Sequence, residues 1–469
     1  SPMHRAAIVT KPVTLDDGAQ IDLKVGIIGL APPQTIEWER FSTGPGLRAD
    51  GLVETARALI ADLRKDGADI VLALAHSGIA DRADYDRTEN AVAELAALDG
   101  LDAIVAGHIH RIFPGPNWDD LPGADPGKGS ISNTPVVMPG VHGSHLGRID
   151  LDLQRGEQGW SVTGFASVAE QVESDPSASG HPDPTPIDAV VNDTHAATLG
   201  FINRQVGATP APIHSFFGLV APCNALSVTA RAILAYVQNT PSINRNDLPV
   251  AVAVSPFRAG GADGASGYVD IPQGPLCLRN AAELYPFPDE LCALEMNGEQ
   301  IRGWIERATS VFARITPGRT GQDLFDPRVP SYQFDVLHGL TYCIDPCRIE
   351  GRVTDIRLSD GSPLGPGDRI LLLTNSYRAN GGGGFTQPRG ASRVANLGTP
   401  VSQTVTDYFA SPDFDPSPQE VWRFARIPDT SAVFLSGTGA PSRLASVNGR
   451  SIRHDGPAHD GFHRFIIEF

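Results

Sequence analysis

The sequence predicts an α/β protein of two domains joined by a helix, and three observations carry that expectation. The chain has 469 residues, more than one ordinary core accommodates. Its first third alternates apolar strand runs with amphipathic helices, the pattern of a layered, mostly parallel sheet. A Pro/Ser/Asp-rich stretch at 172–185 then breaks the pattern, and a helical segment follows it.

The elements follow in order. Residues 23–31 (LKVGIIGLA) read as a strand. Residues 51–66 read as a helix, because Leu52, Ala56, Leu59, Ile60 and Leu63 fall on one face at helical spacing. A strand ending at His76, a helix near 88–98 and a strand ending at His108 complete a β-α-β-α-β series. Two more strands follow, Val136–Met138 and Leu146–Leu153; the second alternates apolar and polar residues, as a half-solvated antiparallel strand does. The connecting helix spans 186–204, with Pro186 in its first turn. Beyond it lie short strands, helices at 224–238 and 297–308, and Gly-rich loops, with no internal repeat. The expected domains are therefore 1–172 and 205–469, with 173–204 as linker and connecting helix.

Composition narrows the function. Lys and Arg total 37 against 54 Asp and Glu, a net charge of −17. That balance argues against a nucleic-acid polymer as partner, since phosphate-backbone affinity needs a basic surface. A small anion remains possible where a metal or a few Arg residues supply local positive charge. No apolar run reaches the roughly 20 residues of a membrane span, and no signal-peptide pattern opens the chain. Of the five cysteines, Cys343 and Cys347 are spaced for a small disulfide loop or are unrelated thiols; a zinc site lacks a second Cys pair.

The chemistry concentrates at strand ends. Ile70–Ala75 runs into His76-Ser77-Gly78, and Ala103–Ala106 runs into Gly107-His108-Ile109-His110. Open α/β sheets place ligand sites beyond the carboxyl ends of their strands, and histidine is the commonest metal ligand. His76 alone reads as a loop cap; His76, His108 and His110 together read as metal ligands. His108 and His110, two apart, share a side if the backbone is extended. Of the next pair, His145 is a candidate for metal or substrate, whereas His142 reads as part of a glycine turn. In the second half, Arg258 ends a buried strand at a Gly-rich turn, where its fork suits phosphate or carboxylate oxygens; the plainer reading is a surface ion pair. Tyr377 and Phe287 are candidates to stack on a flat ring, a contact worth about 1–3 kcal/mol for a base. Phe287 lies between two prolines, and Tyr377 precedes four glycines that let backbone approach a ligand.

Taken together, Pro32-Pro33-Gln34, His76-Ser77-Gly78, Gly107–His110, Met138–Gly147, PFRAGG and NSYRANGGGGF occur in order along nearly the whole chain. They resemble the bacterial 2′,3′-cyclic-nucleotide 2′-phosphodiesterase/3′-nucleotidases of the 5′-nucleotidase superfamily. The resemblance implies a calcineurin-like metallophosphoesterase sheet domain joined by a helix to an α/β nucleotide-binding domain. It implies two divalent ions (Mn, Zn, Co or Mg type) in the complete protein, with His76, His108 and His110 as ligands. It implies that Phe287 and Tyr377 clamp the base, that Arg258 and Asn375 surround sugar or phosphate, and that Asp289 joins the substrate set. A nucleotide is then the partner, the protein is a monomer, and its place is the periplasm or cell surface.

One departure shapes the expectation. The family's Asp-x-His strand end, Gly-Asp pair and Asn-His-Glu loop are not found here. The chain thus reads as the rear part of the metal-binding domain plus the base-binding domain. Hydrolysis and the catalytic histidine belong to the parent protein, and this piece holds one metal weakly or none. Two alternatives stand beside that reading: a non-catalytic nucleotide-binding fragment, and a 5′-nucleotidase or UDP-sugar hydrolase of the same superfamily.

Overall fold

The computed structural model describes residues 5–38, 46–80, 88–116, 118–156, 159–172, 185–241, 243, 247–261, 264–447 and 449–469. The chain divides into two compact units, Ser1–Pro182 and Asp183–Phe469. Residues 173–184 of the loop expected at 172–185, and the first four residues, lie outside the described residues.

The first unit is built on a sheet whose order runs Ala6–Thr14, Gln20–Leu30, Ile70–Ala75, Ala103–Ala106, Thr134–Pro139, Ser130–Ile131 and Ala124–Asp125, with Ile112–Phe113 also paired to Thr134–Pro139. The pairings from Gln20–Leu30 through Ile70–Ala75 and Ala103–Ala106 to Thr134–Pro139 are parallel, so these strands end at one edge. One face is packed: Leu52, Ala56, Ile60 and Leu63 of the Leu52–Lys65 helix and Val92 and Leu95 of the Val92–Ala96 helix share a core with Ile28, Val71, Ala73, Ile104 and Val136. The other face leaves Leu74 49% and Val105 43% exposed. The helix expected near 88–98 is only Val92–Ala96. The Ser77 hydroxyl explains the shortening: it donates to the Glu89 carbonyl at 2.8 Å and accepts from the Ala91 amide at 2.9 Å. Those groups are tied to the Ser77 loop rather than to a helical turn. The strand expected at 146–153 is the longer His145–Gly156, paired antiparallel with Gly159–Gln171.

The second unit opens with the helix Thr185–Ile202, exposed along 189–200. Its core sheet has the order Val336–His338, Val250–Val254, Arg369–Asn375, Glu290–Asn297 and Ser392–Pro400. Val250–Val254 and Arg369–Asn375 are parallel, and Glu290–Asn297 runs against them. The ends of the first two and the start of the third therefore share one edge. Helices Asn224–Gln238 and Gly298–Ala308 stand where periodicity places them. Gly298–Ala308 starts from a capping box, in which Asn297 and Gln300 each accept from the other's backbone amide. All five cysteines are free thiols, Cys343 and Cys347 included. The Cys347 amide donates to Asp345 Oδ1 at 3.0 Å, which makes the intervening residues a local turn without a bridge.

Two histidines of this unit are buried and held neutral. Burial lowers His338 and His214 from 6.5 to about 4. His338 Nδ1 lies 2.7 Å from Gln419 Oε1, while its buried Nε2 has no partner among the described residues. The unfolded chain binds the proton that the folded state refuses, so stability is full above about pH 6.5 and falls toward pH 4. Each such histidine contributes a slope of at most about 1.4 kcal/mol per pH unit. Unfolding of His338→Gln in denaturant across this range is expected to show a pH dependence shallower by about one proton; an unchanged slope would contradict the assignment.

Candidate functional site

In the first unit the parallel strands deliver three imidazoles to one edge. The His76 amide donates to the Leu30 carbonyl, and the Gly107 amide donates to the Ser77 carbonyl at 3.2 Å, which stitches the two loops together. The His76 and His108 rings stand 5.1 Å apart, inclined by 62°. The His76 pKa is lowered, first by burial and then by the charges of His108 and His110. The neutral ring is the form that ligates a metal. Glu89, which the sequence reading did not single out, lies 2.7 Å from His108 Nε2. A carboxylate at one imidazole nitrogen fixes tautomer and ring orientation, as outer-shell partners of metal ligands do.

The route to this grouping is not strand alternation. The strand stops at Ala106, and His108 (φ 76°) and His110 (φ 59°) are both left-handed. Non-glycine residues rarely adopt that region, which costs of order 1–3 kcal/mol each, and such residues cluster at functional sites. A turn, not an extended backbone, sets their directions. His142 is also left-handed, at φ 58°, and exposed, as befits the glycine turn around it. His145 Nδ1 lies 2.9 Å from Ser144 Oγ at the start of the hairpin. As to metals, the donor chemistry fits but the cage does not: among the described residues no group of three or more His, Cys, Asp or Glu side chains could hold an ion.

In the second unit the motifs meet at the shared sheet edge. Leu291 pairs with Asn375, and the Glu290 amide donates to Ser376 Oγ at 3.2 Å, which sets the Phe287–Asp289 loop beside the Tyr377 loop. Phe287 is 45% exposed, and its ring stands edge-on to Phe257 at 4.9 Å. Phe257 immediately precedes Arg258, so the third motif joins the other two. Arg258 is half-buried, and no carboxylate among the described residues pairs with its guanidinium.

Tyr377 sits in a short helix, Ser376–Ala379, rather than at a bare strand end. Asn375 caps that helix, its Oδ1 accepting from the Arg378 amide at 2.7 Å. The Tyr285 hydroxyl donates to Asp289 Oδ2 at 3.1 Å, and Tyr285 also interacts with Asn375. Burial, with the Asp289 charge, pushes the Tyr285 hydroxyl well above its usual range. It stays a neutral donor that links the two loops. After Tyr377, Gly381, Gly383 and Gly384 take left-handed φ of 90°, 70° and 75°, which glycine alone adopts without strain. A Cβ on Gly382 would lie 2.5 Å from the Tyr377 ring.

Comparison with known proteins places the chain in a family. The profile of the 5′-nucleotidase C-terminal domain matches residues 213–389. The chain is 30% identical over 471 residues to the 2′,3′-cyclic-nucleotide 2′-phosphodiesterase/3′-nucleotidase of Salmonella typhimurium, spanning 95% of this chain and 72% of that protein. It is 31% identical over 446 residues to the trifunctional nucleotide phosphoesterase protein YfkN of Bacillus subtilis, spanning 92% of this chain but only 30% of that longer protein. A crystal structure from Staphylococcus aureus described as a 5′-nucleotidase superposes with a TM-score of 0.63 at 19% identity, over 88% of this chain and 74% of that one. At that identity the superposition establishes the fold. The domain profile and the sequence relatives place the chain in the 5′-nucleotidase superfamily. Within it, the chain belongs to the 2′,3′-cyclic-nucleotide 2′-phosphodiesterase/3′-nucleotidase family.

The histidine turn depends on one close approach. A Cβ on Gly78 would lie 2.4 Å from Ile109 Cγ2 and 2.5 Å from Asn90 Oδ1. Ile109 stands between His108 and His110, so Gly78→Ala is expected to destabilise the first unit by about 1–3 kcal/mol. It should also shift the imidazole NMR signals of both histidines. Gly29→Ala, with nothing within 4 Å of its Cβ, serves as the control. Unmoved His108 and His110 signals in Gly78→Ala would contradict this account.

Proposed function

We infer that the protein carrying this chain hydrolyses nucleotide phosphoesters, 2′,3′-cyclic nucleotides and 3′-nucleotides foremost, and that this chain supplies its base-binding mouth. The observation that carries the reading is the convergence of Phe287, Tyr377 and Arg258 at one edge of the second unit's sheet. In this reading Phe287 and Tyr377 take the two faces of the base and hold it out of water. The Arg258 fork binds anionic oxygens. Asn375 and Asp289 fix the loops that carry the rings, and lie beside the sugar.

His76, His108 and His110 would be ligands of a divalent-metal site that the complete protein finishes with further donors, and ions held there would supply Lewis-acid chemistry toward a phosphoester. The remaining ligands and the catalytic base come from outside the described residues, and no catalytic residue is assigned to this chain. The exposed Leu74 and Val105 support a first domain that continues beyond the described part, because parallel sheets are ordinarily covered on both faces. Among the described residues no helix is long and apolar enough to cross a membrane. A monomer in the periplasm or at the cell surface remains the working placement. A second reading is a nucleotide-binding module without hydrolysis; among the described residues the three histidines have no carboxylate or thiolate set that completes a metal cage.

The parent protein is to be assayed on 2′,3′-cyclic AMP and 3′-AMP with Mn²⁺, Co²⁺ or Zn²⁺. Phosphoester hydrolysis is expected; none with any metal, alongside retained adenosine binding, would favour the second reading. His108→Ala and His110→Ala are each expected to lower bound metal by elemental analysis, and unchanged content in both would remove them from the ligand set. Phe287→Ala and Tyr377→Ala should each raise KM for adenine nucleotides roughly tenfold or more, given about 1–3 kcal/mol per stacked base. KM for p-nitrophenyl phosphate, which has no base, should stay near wild type. Equal losses on both substrates would mark these rings as structural.

A further inference from the structure

Asp335 has no part in the reading above, yet it sits beneath the whole mouth. Its side chain is 1% exposed. Arg378 grips it with two prongs, Nε to Oδ2 at 2.9 Å and Nη2 to Oδ1 at 3.0 Å. Two further donors complete the carboxylate: Ser255 Oγ to Oδ1 at 2.5 Å and Trp304 Nε1 to Oδ2 at 2.9 Å. The two sides of this junction belong to different loops. Ser255 directly follows the Val250–Val254 strand and lies three residues before Arg258. Arg378 directly follows Tyr377, and its Nη1 donates to the Gly382 carbonyl at 3.0 Å. The Gly382 backbone in turn packs against the Tyr377 ring, and a Cβ on Gly383 would lie 2.3 Å from Arg378 Nη1.

We propose that Asp335 is a positioning residue that locks the Arg258 loop and the Tyr377 loop to one another, and thereby sets the selectivity of the mouth for ligands that carry a base. Stability alone is a poor reason for such a group, because a buried ion pair replaced by apolar residues of similar volume is often neutral or better. Geometry is a good one. A carboxylate saturated by four directional donors in a dry environment has a single low-energy orientation, and so do the chain segments bound to it. Tyr377 cannot swing without moving Gly382, and Gly382 cannot move without disturbing Arg378. The proposal rests on the base-binding reading for its ligand, but the coupling between the loops stands on the hydrogen bonds alone.

The test uses this whole chain, with hydrogen–deuterium exchange read by mass spectrometry and adenosine as the calorimetric probe. In Asp335→Asn, exchange should rise together in 255–261 and 376–385, while the Ser431–Ser436 and His463–Glu468 strands keep wild-type protection. Adenosine affinity should fall about tenfold, the size of one ordinary coupling. Ser255→Ala removes a single donor and should give the same paired pattern at smaller amplitude, which covers the case in which Asp335→Asn does not fold. A rise confined to one segment, or spread evenly over the unit, overturns the lock. Wild-type chain that binds no adenosine counts against the base-binding reading, and the exchange pattern still decides the coupling. Loosened loops with unchanged adenosine affinity would refute the selectivity role.

Discussion

A carboxylate and a guanidinium share one dry space beneath the mouth of the second unit, and the arrangement above them depends on that. Moving such charges out of water costs several kcal/mol per ion, and only near-ideal geometry offsets it. Asp335 and Arg378 meet that condition with two prongs, an indole N–H and a hydroxyl on the acid, and two backbone carbonyls on the base. Phe385 closes the space, its ring 4.3 Å from the Arg378 guanidinium carbon. The hydrogen bonds join two parallel strands where each gives way to a glycine-rich loop. Loops carry function when a stiff scaffold aims them, and here the scaffold reaches into the loops themselves.

The first unit shows a different constraint. Its parallel strands supply an edge, but the histidines are aimed by a turn held in left-handed backbone. Packing sustains it: Gly78 lies against Ile109 so closely that no side chain fits, and the Ser77 carbonyl holds the Gly107 amide. Conformations of this kind survive only when their surroundings over-determine them. A carboxylate, Glu89, comes to the same place through the Ser77 hydroxyl, which ties down the backbone around it.

Much of this was legible in the sequence. The apolar runs at Ile70–Ala75 and Ala103–Ala106 read as parallel strands, although Leu74 and Val105 stay exposed on one face, and the helical spacing from Leu52 to Leu63 left little choice of period. The chemistry-bearing motifs were legible too, because glycine, proline and aromatic residues at strand ends carry meaning without a fold. What escaped was whatever depends on distant partners. Asp335 in an ordinary-looking Phe-Asp-Val gives no sign of burial, since its partner lies 43 residues away. Glu89 reads as a surface residue until Ser77 captures its backbone, and the same capture shortens the expected helix to Val92–Ala96. Arg258 reads as a fork for anionic oxygens or as half of a surface ion pair, because which acids lie near it depends on the fold. The spacing of Cys343 and Cys347 fits a small bridge or two unrelated thiols, and both are free thiols in a turn shaped by a local hydrogen bond to Asp345.

The central claim is that one edge of the second unit's sheet holds a nucleoside by its base. A crystal structure of this chain soaked with adenosine tests it most directly. The account requires the adenine ring between Phe287 and Tyr377, with the ribose turned toward Arg258. Adenosine bound elsewhere, or held at this edge by its ribose with both rings turned away, would contradict it.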